Sequence, residues 1–339
     1  MNRSATIKDV AAKANVSVTT VSRYINDAEH VSAKCAEKIR SAITETGYQP
    51  NLMARSLKTQ KSHTIVLIVP DICNPFYSLM AKTVQRIART HNYLISFCDT
   101  DGEENQEVAA ICAAQQQNAC GILFASIDIK PQVIEQMKRA QIPIVGLNAY
   151  SNDFPFDSVH VLQNGGTYIA MQHLIELKHS RIVYAGGTPS SMIARNRREG
   201  YELAMREFGL HWSEQDIFEM GFSQEDGYKA GRYFSTFTPL PTAICCANDQ
   251  IALGVIDALQ SVGLSVPEDI SVTGMDDIPY SRTSKPSLTT ITNDGAQYAQ
   301  IGMSLLLERV SGKYDGKKRS TSVPNTLILR QSTRILNGE

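Results

Sequence analysis

Short apolar runs alternate with longer amphipathic segments from Thr64 onwards, and this alternation restricts the possible folds more than any other feature. The first run, TIVLIVP at residues 64–70, is continuously apolar, as in a strand buried on both faces of a parallel sheet. Three further helix–strand units follow up to Leu147, and a second series of the same kind runs from Ser158 to Gly274. The pattern predicts an α/β fold with two lobes, each built on a doubly wound parallel sheet.

Two such lobes predict a ligand-binding cleft between them. Ligands of open parallel sheets bind beyond the carboxyl ends of the strands, so the loops at these ends are the first place to look for a site. The loop DICNPFY, residues 71–77, follows the first strand. Its aromatic rings could stack on the apolar faces of a sugar, while Asp71 and Asn74 could bind hydroxyl groups.

Residues 5–26, ATIKDVAAKANVSVTTVSRYIN, have the pattern of two short helices joined by a tight turn. Thr6 is a natural N-cap, Asn15 tolerates the left-handed backbone of such a turn, and Ser17 caps the second helix. The side chains left pointing outward from this helix are Val18, Thr19, Ser22 and Arg23. Hydroxyls and an arginine near a helix start can contact phosphates or base edges. An ordinary helical hairpin with a solvated face fits the same pattern.

Charge is distributed unevenly along the chain. The whole sequence has 33 basic and 34 acidic side chains and a net charge of −1, which by itself hides any nucleic-acid function. Residues 1–61, however, contain ten lysines and arginines but only five acids, so the rest of the chain is acidic. A basic head on an acidic body predicts that a polyanion binds at one end only.

The N-terminal stretch resembles the DNA-binding head of the lactose-repressor (LacI/GalR) family of bacterial transcription regulators, and the similarity continues through VSAKCAEKIRSAITETGYQPNLMARSLKT, residues 31–59. It implies a third helix capped by Ser32 and a hinge helix from about Asn51 to Leu57. Paired hinge helices of two subunits would enter the minor groove, where Leu57 would wedge between base pairs. The DNA-binding residues that the resemblance and the pattern indicate are Thr6, Ser17, Val18, Thr19, Thr20, Ser22, Arg23, Asn26, Asn51, Ala54, Arg55, Leu57 and Lys58.

The resemblance covers essentially the whole chain and implies a body like that of periplasmic sugar-binding proteins, with three crossovers between the lobes. The expected parts are a helix-turn-helix head at 1–50, a hinge helix and linker at 51–61, an N-terminal lobe at 62–162 plus 293–322, and a C-terminal lobe at 163–292 plus 323–339. The last strand-like segment is NTLILRQST, residues 325–333, and no heptad repeat follows it. A homodimer is therefore expected.

The family's motifs also indicate the effector site. Arg197 in ARNRREGY would anchor the ligand, Phe222 would cover it, and Asp276 would accept hydrogen bonds from two hydroxyls or an amine. The complete set of effector-binding candidates is Asp71, Asn74, Phe76, Tyr77, Asn148, Arg197, Phe222, Asn248, Asp249, Asp276 and Asn293. Asn148 stands where many relatives have Asp, and Gln163 also departs from a common Asp, which leaves its role in the first crossover open.

Structural roles fit some of these candidates equally well. Asn248 and Asp249 could simply cap the helix that begins there, and the three aromatic residues could belong to the core. The chemistry of the effector also stays open. The arginine-rich loop at residues 195–198 suits a sugar acid, but only Arg197 is matched to the site, and a neutral sugar fits as well.

Other function classes find little support in the sequence. It has no G-x-G-x-x-G, G-x-S-x-G or H-E-x-x-H motif, and its seven scattered cysteines lack metal-ligand spacing. No signal peptide opens the chain and no apolar run reaches transmembrane length. An enzyme and a periplasmic sugar carrier are thus weaker alternatives. The sequence predicts a cytoplasmic, nucleoid-associated transcription regulator, expected to be a repressor, that binds operator DNA and a sugar or sugar acid and needs no cofactor, metal or membrane.

Overall fold

The computed structural model describes residues 5–26, 31–48, 62–148, 154–161 and 165–336. By internal contacts the chain divides into two units, Met1–Ser62 and His63–Glu339, which are taken separately below. Gln163, at the predicted first crossover, lies outside the described residues. Among the helices that are described, none is both long and apolar enough to cross a bilayer.

The N-terminal unit contains three helices, α1 Ile7–Ala14, α2 Val18–Asn26 and α3 Ala33–Thr46. At the start of α1 the backbone N–H and the hydroxyl of Thr6 both donate to the Asp9 carboxylate, each at 2.7 Å. The helix ends at Asn15, whose φ of 55° is left-handed, as its side chain type allows. Ser17 Oγ then accepts the Thr20 N–H at 3.0 Å. The local signals in the sequence therefore predicted both helices correctly.

A small apolar core holds these three helices together. Val10, Val21 and Ile39, one from each helix, are fully buried, and the side chains of several alanines fill the space between them. Ser32 occupies the N-cap position of α3, but its side chain makes no capping hydrogen bond, so the predicted cap is present in position only.

The second unit has two six-stranded sheets, each with its own helices, numbered in chain order. The first sheet has the strand order β11-β5-β4-β3-β1-β2, and all of its pairings are parallel. Its strands are β1 Thr64–Val69, β2 Leu94–Asp99, β3 Gly121–Ala125, β4 Ile144–Leu147, β5 Asp157–Val161 and β11 Ser320–Val323. Its helices are α4 Pro75–Thr90, α5 Glu104–Gln116, α6 Pro131–Ala140 and α12 Gly295–Val310.

The second sheet has the order β12-β10-β9-β8-β6-β7 and is parallel except for β12, which runs antiparallel to β10. Its strands are β6 Ile182–Gly186, β7 Ile217–Glu219, β8 Ala243–Cys246, β9 Ser271–Asp276, β10 Thr289–Thr292 and β12 Leu327–Ile328. Its helices are α7 Gly165–Glu176, α8 Met192–Glu207, α9 Gln224–Phe234, α10 Asp249–Ser261 and α11 Pro279–Thr283, and a 3-10 turn spans Glu214–Asp216. The two sheets confirm the predicted α/β, doubly wound fold class.

The last strand is much shorter than the sequence pattern suggests. Residues 325–333 read as one strand, but only Leu327–Ile328 pair regularly. Beyond them Ser332 contacts β9. The Val272 N–H donates to the Ser332 carbonyl at 2.8 Å, and the Ser332 hydroxyl donates to the Val272 carbonyl at 2.6 Å. The apolar residues of the segment are half-buried or exposed, so the apolar pattern here indicated neither a long strand nor a buried one.

The chain passes from one sheet to the other three times: between Val161 and Gly165, between Thr292 and Gly295, and between Val323 and Leu327. Strands β1 to β5 and β11 form one sheet, and the remaining strands form the other. Three connections of this kind leave two lobes whose strand-end loops can line a shared cleft.

A buried acid lies in the first lobe near the end of β3. The Glu107 side chain, on the first turns of α5, is 1% exposed. Its carboxyl oxygens find no partner of good hydrogen-bonding geometry among the described residues, although Ser126 lies close to it. Burial raises the pKa of Glu107 to about 7, so the folded protein holds this proton more tightly than the unfolded chain does.

We expect Glu107→Gln to stabilise the protein above pH 7. Because the folded-state pKa is raised, the stability linked to Glu107 is fully present below its ordinary pKa and is lost as pH rises through about 7. The neutral amide removes this loss, so the free energy of unfolding at pH 8 should rise by about 2 kcal/mol and stay unchanged at pH 4.5. Denaturant unfolding at both values checks this, with the exposed Glu103→Gln as control. An equal effect at both values would contradict the assignment.

Candidate functional site

The outer surface of α2 carries the predicted DNA-reading side chains. Val18 is 41% exposed, and Thr19 and Arg23 are exposed as well. Thr20 and Ser22 are half-buried, and Asn26 is the last residue of the helix. The exposed hydroxyl and guanidinium groups lie on one short helix, on the face that does not pack against the head's core.

Two other predicted DNA contacts are occupied in capping. The Thr6 hydroxyl donates to Asp9, and Ser17 Oγ accepts the Thr20 N–H. The remaining candidates lie outside the described residues: Asn51, Ala54, Arg55, Leu57 and Lys58.

A cavity of about 240 Å³ lies between the two lobes of the second unit. Its walls come from the segments that follow β1, β2, β3 and β4 on one side, and from the last residue of β9 and the segments that follow β6, β7, β8 and β10 on the other. The structure brings together at this cavity all but one of the predicted effector residues: Asp71, Asn74, Phe76, Tyr77, Asn148, Arg197, Phe222, Asn248, Asp276 and Asn293. The strand-end rule thus located the cavity from the sequence.

Three polar residues of the cavity lining, Arg197, Asp276 and Asn293, are joined by hydrogen bonds. Arg197, from α8, is 9% exposed and donates to the Ala247 carbonyl at 2.6 Å and to Asp276 Oδ1 at 3.5 Å. Asn293 Nδ2 donates to the same Asp276 oxygen at 3.1 Å. Burial raises the pKa of Asp276, and the arginine and the amide partly oppose this effect. The second oxygen of Asp276 remains available to accept from a ligand.

Three residues that line the cavity have a positive backbone φ. Asp276 has a φ of 113°, Asn148 of 60° and Asp101 of 50°, all in the positive region that side-chain-bearing residues rarely adopt. All three residues line the cavity. Strain of this kind persists where the surrounding structure fixes a side chain in a required position, and it is typical of ligand sites.

The first lobe contributes amide groups to the wall. Asn74 Oδ1 caps α4 by accepting the Phe76 N–H at 3.0 Å, and Asn148 Oδ1 accepts from the Tyr298 hydroxyl at 3.5 Å. Both side chains are more than nine-tenths buried. Since their oxygens are engaged, their amide nitrogens are the groups that these two residues can offer as donors to a ligand.

The aromatic residues have mixed roles. Phe76 and Tyr77 are 5% and 6% exposed and pack largely within the core of the first lobe, so only their edges reach the cavity. The ring of Phe222 packs against Gly187, where a Cβ atom would come within 2.2 Å of the ring. Glycine at position 187 therefore allows the Phe222 ring to cover the cavity from the second lobe.

Asp249 corrects the sequence prediction. It is fully buried and does not line the cavity. Its carboxylate accepts hydrogen bonds from the Ile278 N–H at 2.9 Å, from the Ser281 hydroxyl at 2.6 Å and from the Thr290 hydroxyl. Burial raises the pKa of Asp249 to about 7. The residue ties α10 to the end of β9, which is a structural role.

Asn248 reaches the cavity, but its polar atoms are already occupied. Its Oδ1 accepts the Ile251 N–H at 2.8 Å, which caps α10, and its Nδ2 donates to the Phe222 carbonyl at 3.0 Å. It therefore holds the aromatic cover in place and presents little hydrogen-bonding capacity to a ligand.

Sequence reasoning missed several cavity residues. The polar ones are Asp101, Thr188, Ser223 and Asp226 and the apolar ones are Pro70, Ile127 and Ile193. The signal was available for two of them, because Asp101 follows β2 and Thr188 follows β6, where strand-end loops converge. Asp226 lies on α9, where its carboxylate accepts from the Ser223 hydroxyl, so nothing in the local sequence separates it from an ordinary helix cap.

The two arginines that flank Arg197 do not reach the cavity. Arg198 contacts Glu202, Glu214 and Glu219 at 2.7, 2.8 and 3.0 Å, and these hydrogen bonds raise its pKa. Arg195 donates to the Ser190 carbonyl, and its guanidinium lies 3.9 Å from the Asp128 carboxylate on the opposite lobe. The arginine-rich segment 195–198, which was expected in a loop, lies within helix α8, and its two outer arginines are paired with other groups of the protein.

Comparison with known families agrees with both units. Residues 6–51 match the family described as bacterial regulatory proteins, lacI family, and residues 171–333 match the periplasmic binding protein-like domain.

Within the described residues no cluster of three or more His, Cys, Asp or Glu side chains could hold a metal ion.

Similar proteins are found over the whole length of the chain. The HTH-type transcriptional repressor CytR of Escherichia coli (strain K12) is 33% identical over 332 residues, which is 98% of this chain and 97% of the relative. The HTH-type transcriptional repressor PurR of Haemophilus influenzae (strain PittEE) is 34% identical over 342 residues, 98% and 99% of the two chains. The lac repressor dimer, in a crystal structure with operator and the anti-inducer ONPF, superposes with a TM-score of 0.86 at 29% identity, covering 98% of this chain and all of that one.

Proposed function

Since this chain belongs to the lacI family of bacterial regulatory proteins, we propose that it is a repressor whose hold on operator DNA depends on a small sugar or sugar acid bound between its two lobes. The cavity carries this proposal, because a buried arginine, a strained aspartate and an aromatic cover converge on it from both lobes. The relatives CytR and PurR are both named transcriptional repressors. The chain is not an enzyme, and it binds DNA under the control of an effector.

In the proposed complex, α2 lies in the major groove of an operator half-site. Thr19, Ser22 and Arg23 would contact base edges there, and the capping residues Thr6 and Ser17 would contact phosphates. The proposal includes the predicted domain division, with a head at 1–50, a hinge at 51–61 and the two lobes after it in the sequence. We place the activity in the bacterial cytoplasm, on the DNA of the nucleoid.

The effector is proposed to bind through the polar centre of the cavity. Arg197 and Asp276 would hold its hydroxyl groups from the second lobe, and the amides of Asn74 and Asn148 would donate from the first. Asn293, on the second crossover, contacts Asp276 and would couple occupancy of the cavity to the relative angle of the lobes. A coupling of about 1–3 kcal/mol between the two sites suffices for regulation.

We propose a homodimer that uses the outer edge of the first sheet. Strand β2 is an edge strand, and its Leu94 and Phe97 side chains are 57% and 43% exposed, with Leu79 of α4 also 40% exposed. Apolar groups along an unpaired edge favour association, and a second copy would bury them. The lac repressor in the matching crystal structure is itself a dimer.

Phe97→Glu should therefore shift the protein towards monomer. A charge at the centre of the proposed contact must be desolvated without a partner, so the dimer dissociation constant should rise by at least 100-fold. Sedimentation velocity at micromolar concentration measures this. Met220→Glu, which charges a residue 44% exposed on the second lobe, is the matched control. An unchanged dimer in the Phe97 variant would contradict the proposed interface.

Leu57→Ala should weaken operator binding without affecting the fold. If Leu57 wedges between base pairs, its removal loses the apolar contact that compensates for unstacking, and affinity should fall by a few kcal/mol. Fluorescence anisotropy with an operator selected from random DNA by the protein itself gives the value. Measurements must be made at matched salt, because phosphate contacts alone make affinity salt-dependent. Equal affinities of the two proteins would refute the wedge.

A further inference from the structure

The charge of the cavity wall restricts which effector can bind. Four carboxylates line it, from Asp71, Asp101, Asp226 and Asp276, against the single guanidinium of Arg197. Among the described residues that line the cavity there is no lysine, histidine or second arginine. Because Arg197 already contacts Asp276, much of its positive charge is balanced before any ligand arrives. The charged side chains of the lining thus comprise four acids and one base, an excess of three acids.

The arginines nearby do not reverse this sign. Arg198 is surrounded by three glutamates, and Arg195 is directed to Asp128 and the Ser190 carbonyl. The arginine-rich segment 195–198 was the feature that favoured a sugar acid in the sequence. Since only Arg197 lines the cavity, that argument no longer holds.

A second observation indicates what the wall requires from a ligand. Asn293 is 2% exposed, and its Oδ1 is buried without a hydrogen-bond partner among the described residues. A buried acceptor left unpaired is costly, and such groups are rare unless a ligand or water completes them. Asn293 Nδ2 donates to Asp276 Oδ1 at 3.1 Å, and the Asp276 carboxylate can only accept hydrogen bonds. This part of the wall therefore needs hydrogen-bond donors.

The opposite lobe requires acceptors. The Asn74 and Asn148 oxygens are engaged by the Phe76 N–H and the Tyr298 hydroxyl, so both residues have donors to offer. A hydroxyl group both donates and accepts, and it is neutral. A carboxylate or phosphate accepts only, and it would face three carboxylates that have no cation of their own in the cavity.

We propose that the effector is an uncharged, hydroxyl-bearing molecule, and that Asp101 and Asp226 determine specificity by rejecting its anionic derivatives. This rests on the proposed function, and it narrows the sugar or sugar acid of that proposal to the neutral member. Asp101 and Asp226 are the residues to vary, because neither belongs to the Arg197–Asp276 pair that would hold the ligand.

The first test compares matched pairs of compounds by thermal shift. A panel of neutral sugars and nucleosides is used, each paired with its acid or monophosphate, such as D-glucose with D-gluconate and D-ribose with ribose 5-phosphate. Ligand binding to the native state raises its melting temperature by mass action. We expect at least one neutral compound to bind, and we expect the affinity for the acid or monophosphate paired with it to be at least tenfold lower. A panel in which an anion binds more tightly than its neutral partner, or in which no neutral compound binds, would overturn the proposal.

The second test asks whether Asp101 and Asp226 are the residues that weaken the binding of anionic compounds. Asp101→Asn should raise affinity for the anionic partner about fivefold relative to the neutral one, since one charge near the ligand is lost. Asn tolerates the φ of 50° at this position. Asp226→Asn is the second variant, with its folding checked because Asp226 caps α9. Asp315→Asn removes an equal charge from the exposed surface and should leave the ratio of affinities for the anionic and neutral compounds unchanged. Unchanged discrimination in both cavity variants would contradict their assigned role.

Operator affinity separates this proposal from the proposed function. If a neutral ligand binds but operator affinity stays the same, the regulatory function fails and the specificity stands. If an anion binds more tightly and changes operator affinity, the function stands and the specificity fails.

Discussion

Arg197→Ala is expected to abolish the response to the effector while operator binding stays intact. Arg197 is the only positively charged side chain among the described residues that line the cavity, and it joins Asp276 to the Ala247 carbonyl. Loss of a buried, charge-assisted contact of this kind should weaken ligand binding by about 100-fold. Burial already raises the pKa of Asp276, so this acid can take up a proton when its cation is removed, which limits the damage to folding.

Isothermal titration calorimetry with the neutral compound that binds measures the ligand affinity, and fluorescence anisotropy measures the operator affinity. Arg206→Ala is the matched control, because Arg206 is exposed on the same helix, α8. This variant should bind the ligand as tightly as the unmodified protein does. A folded Arg197→Ala protein that has lost operator binding, or that still responds to the ligand normally, would show that Arg197 does not have the role proposed.

Asp249→Ala should cause the largest loss of stability. Its carboxylate accepts from the Ile278 N–H and from the hydroxyls of Ser281 and Thr290, all of them buried. Alanine leaves three donors without an acceptor inside the core of the second lobe, at a cost of roughly 3–5 kcal/mol. Denaturant unfolding followed by far-UV circular dichroism should show this, with ligand affinity per folded molecule nearly unchanged.

Asp257→Ala on the same helix provides the comparison. Asp257 is exposed, so its replacement should change the free energy of unfolding by no more than about 0.5 kcal/mol. If Asp249→Ala instead leaves stability intact and removes ligand binding, Asp249 contacts the effector after all, and the correction made from the structure is wrong.

Asp249 also illustrates where sequence reasoning stops. The residue follows a predicted strand next to Asn248, and the family's motif made both look like ligand contacts, although a helix-capping role fitted them equally well. Its actual partners Ser281 and Thr290 are 32 and 41 residues further along the chain, and only the folded sheet brings them to it. No local pattern distinguishes a carboxylate that binds a ligand from one that ties a helix to a strand end.

Features that depend on neighbouring residues were predictable. The Thr6 cap, the turn at Asn15 and the Ser17 cap are set by contacts within three residues, and the apolar rhythm of the strands gave both sheets. The position of Arg197 at the cavity also follows from strand ends and the family motif. Asp226 could not be found in this way, because it reaches the cavity from a helix and its sequence context is that of a cap.

The arginine-rich segment 195–198 shows the same limit for charge. In the sequence Arg195, Arg197 and Arg198 form one basic cluster that suits an anion. In the structure Arg198 contacts Glu202 on the same helix and the more distant Glu214 and Glu219, and the guanidinium of Arg195 lies near Asp128. Only Arg197 lines the cavity, where four aspartates line it as well. The sign of a site depends on which side chains the fold assembles around it, and a cluster within one segment does not reveal that sign.

The most direct test of the whole scheme is operator affinity measured with and without a saturating ligand of the cavity, by anisotropy at fixed salt and with the same selected operator. An effector-controlled repressor predicts a change of at least tenfold, because the ligand must prefer one arrangement of the lobes by 1.4 kcal/mol or more. Identical affinities, with the cavity shown to be occupied in the same solution, would contradict the account.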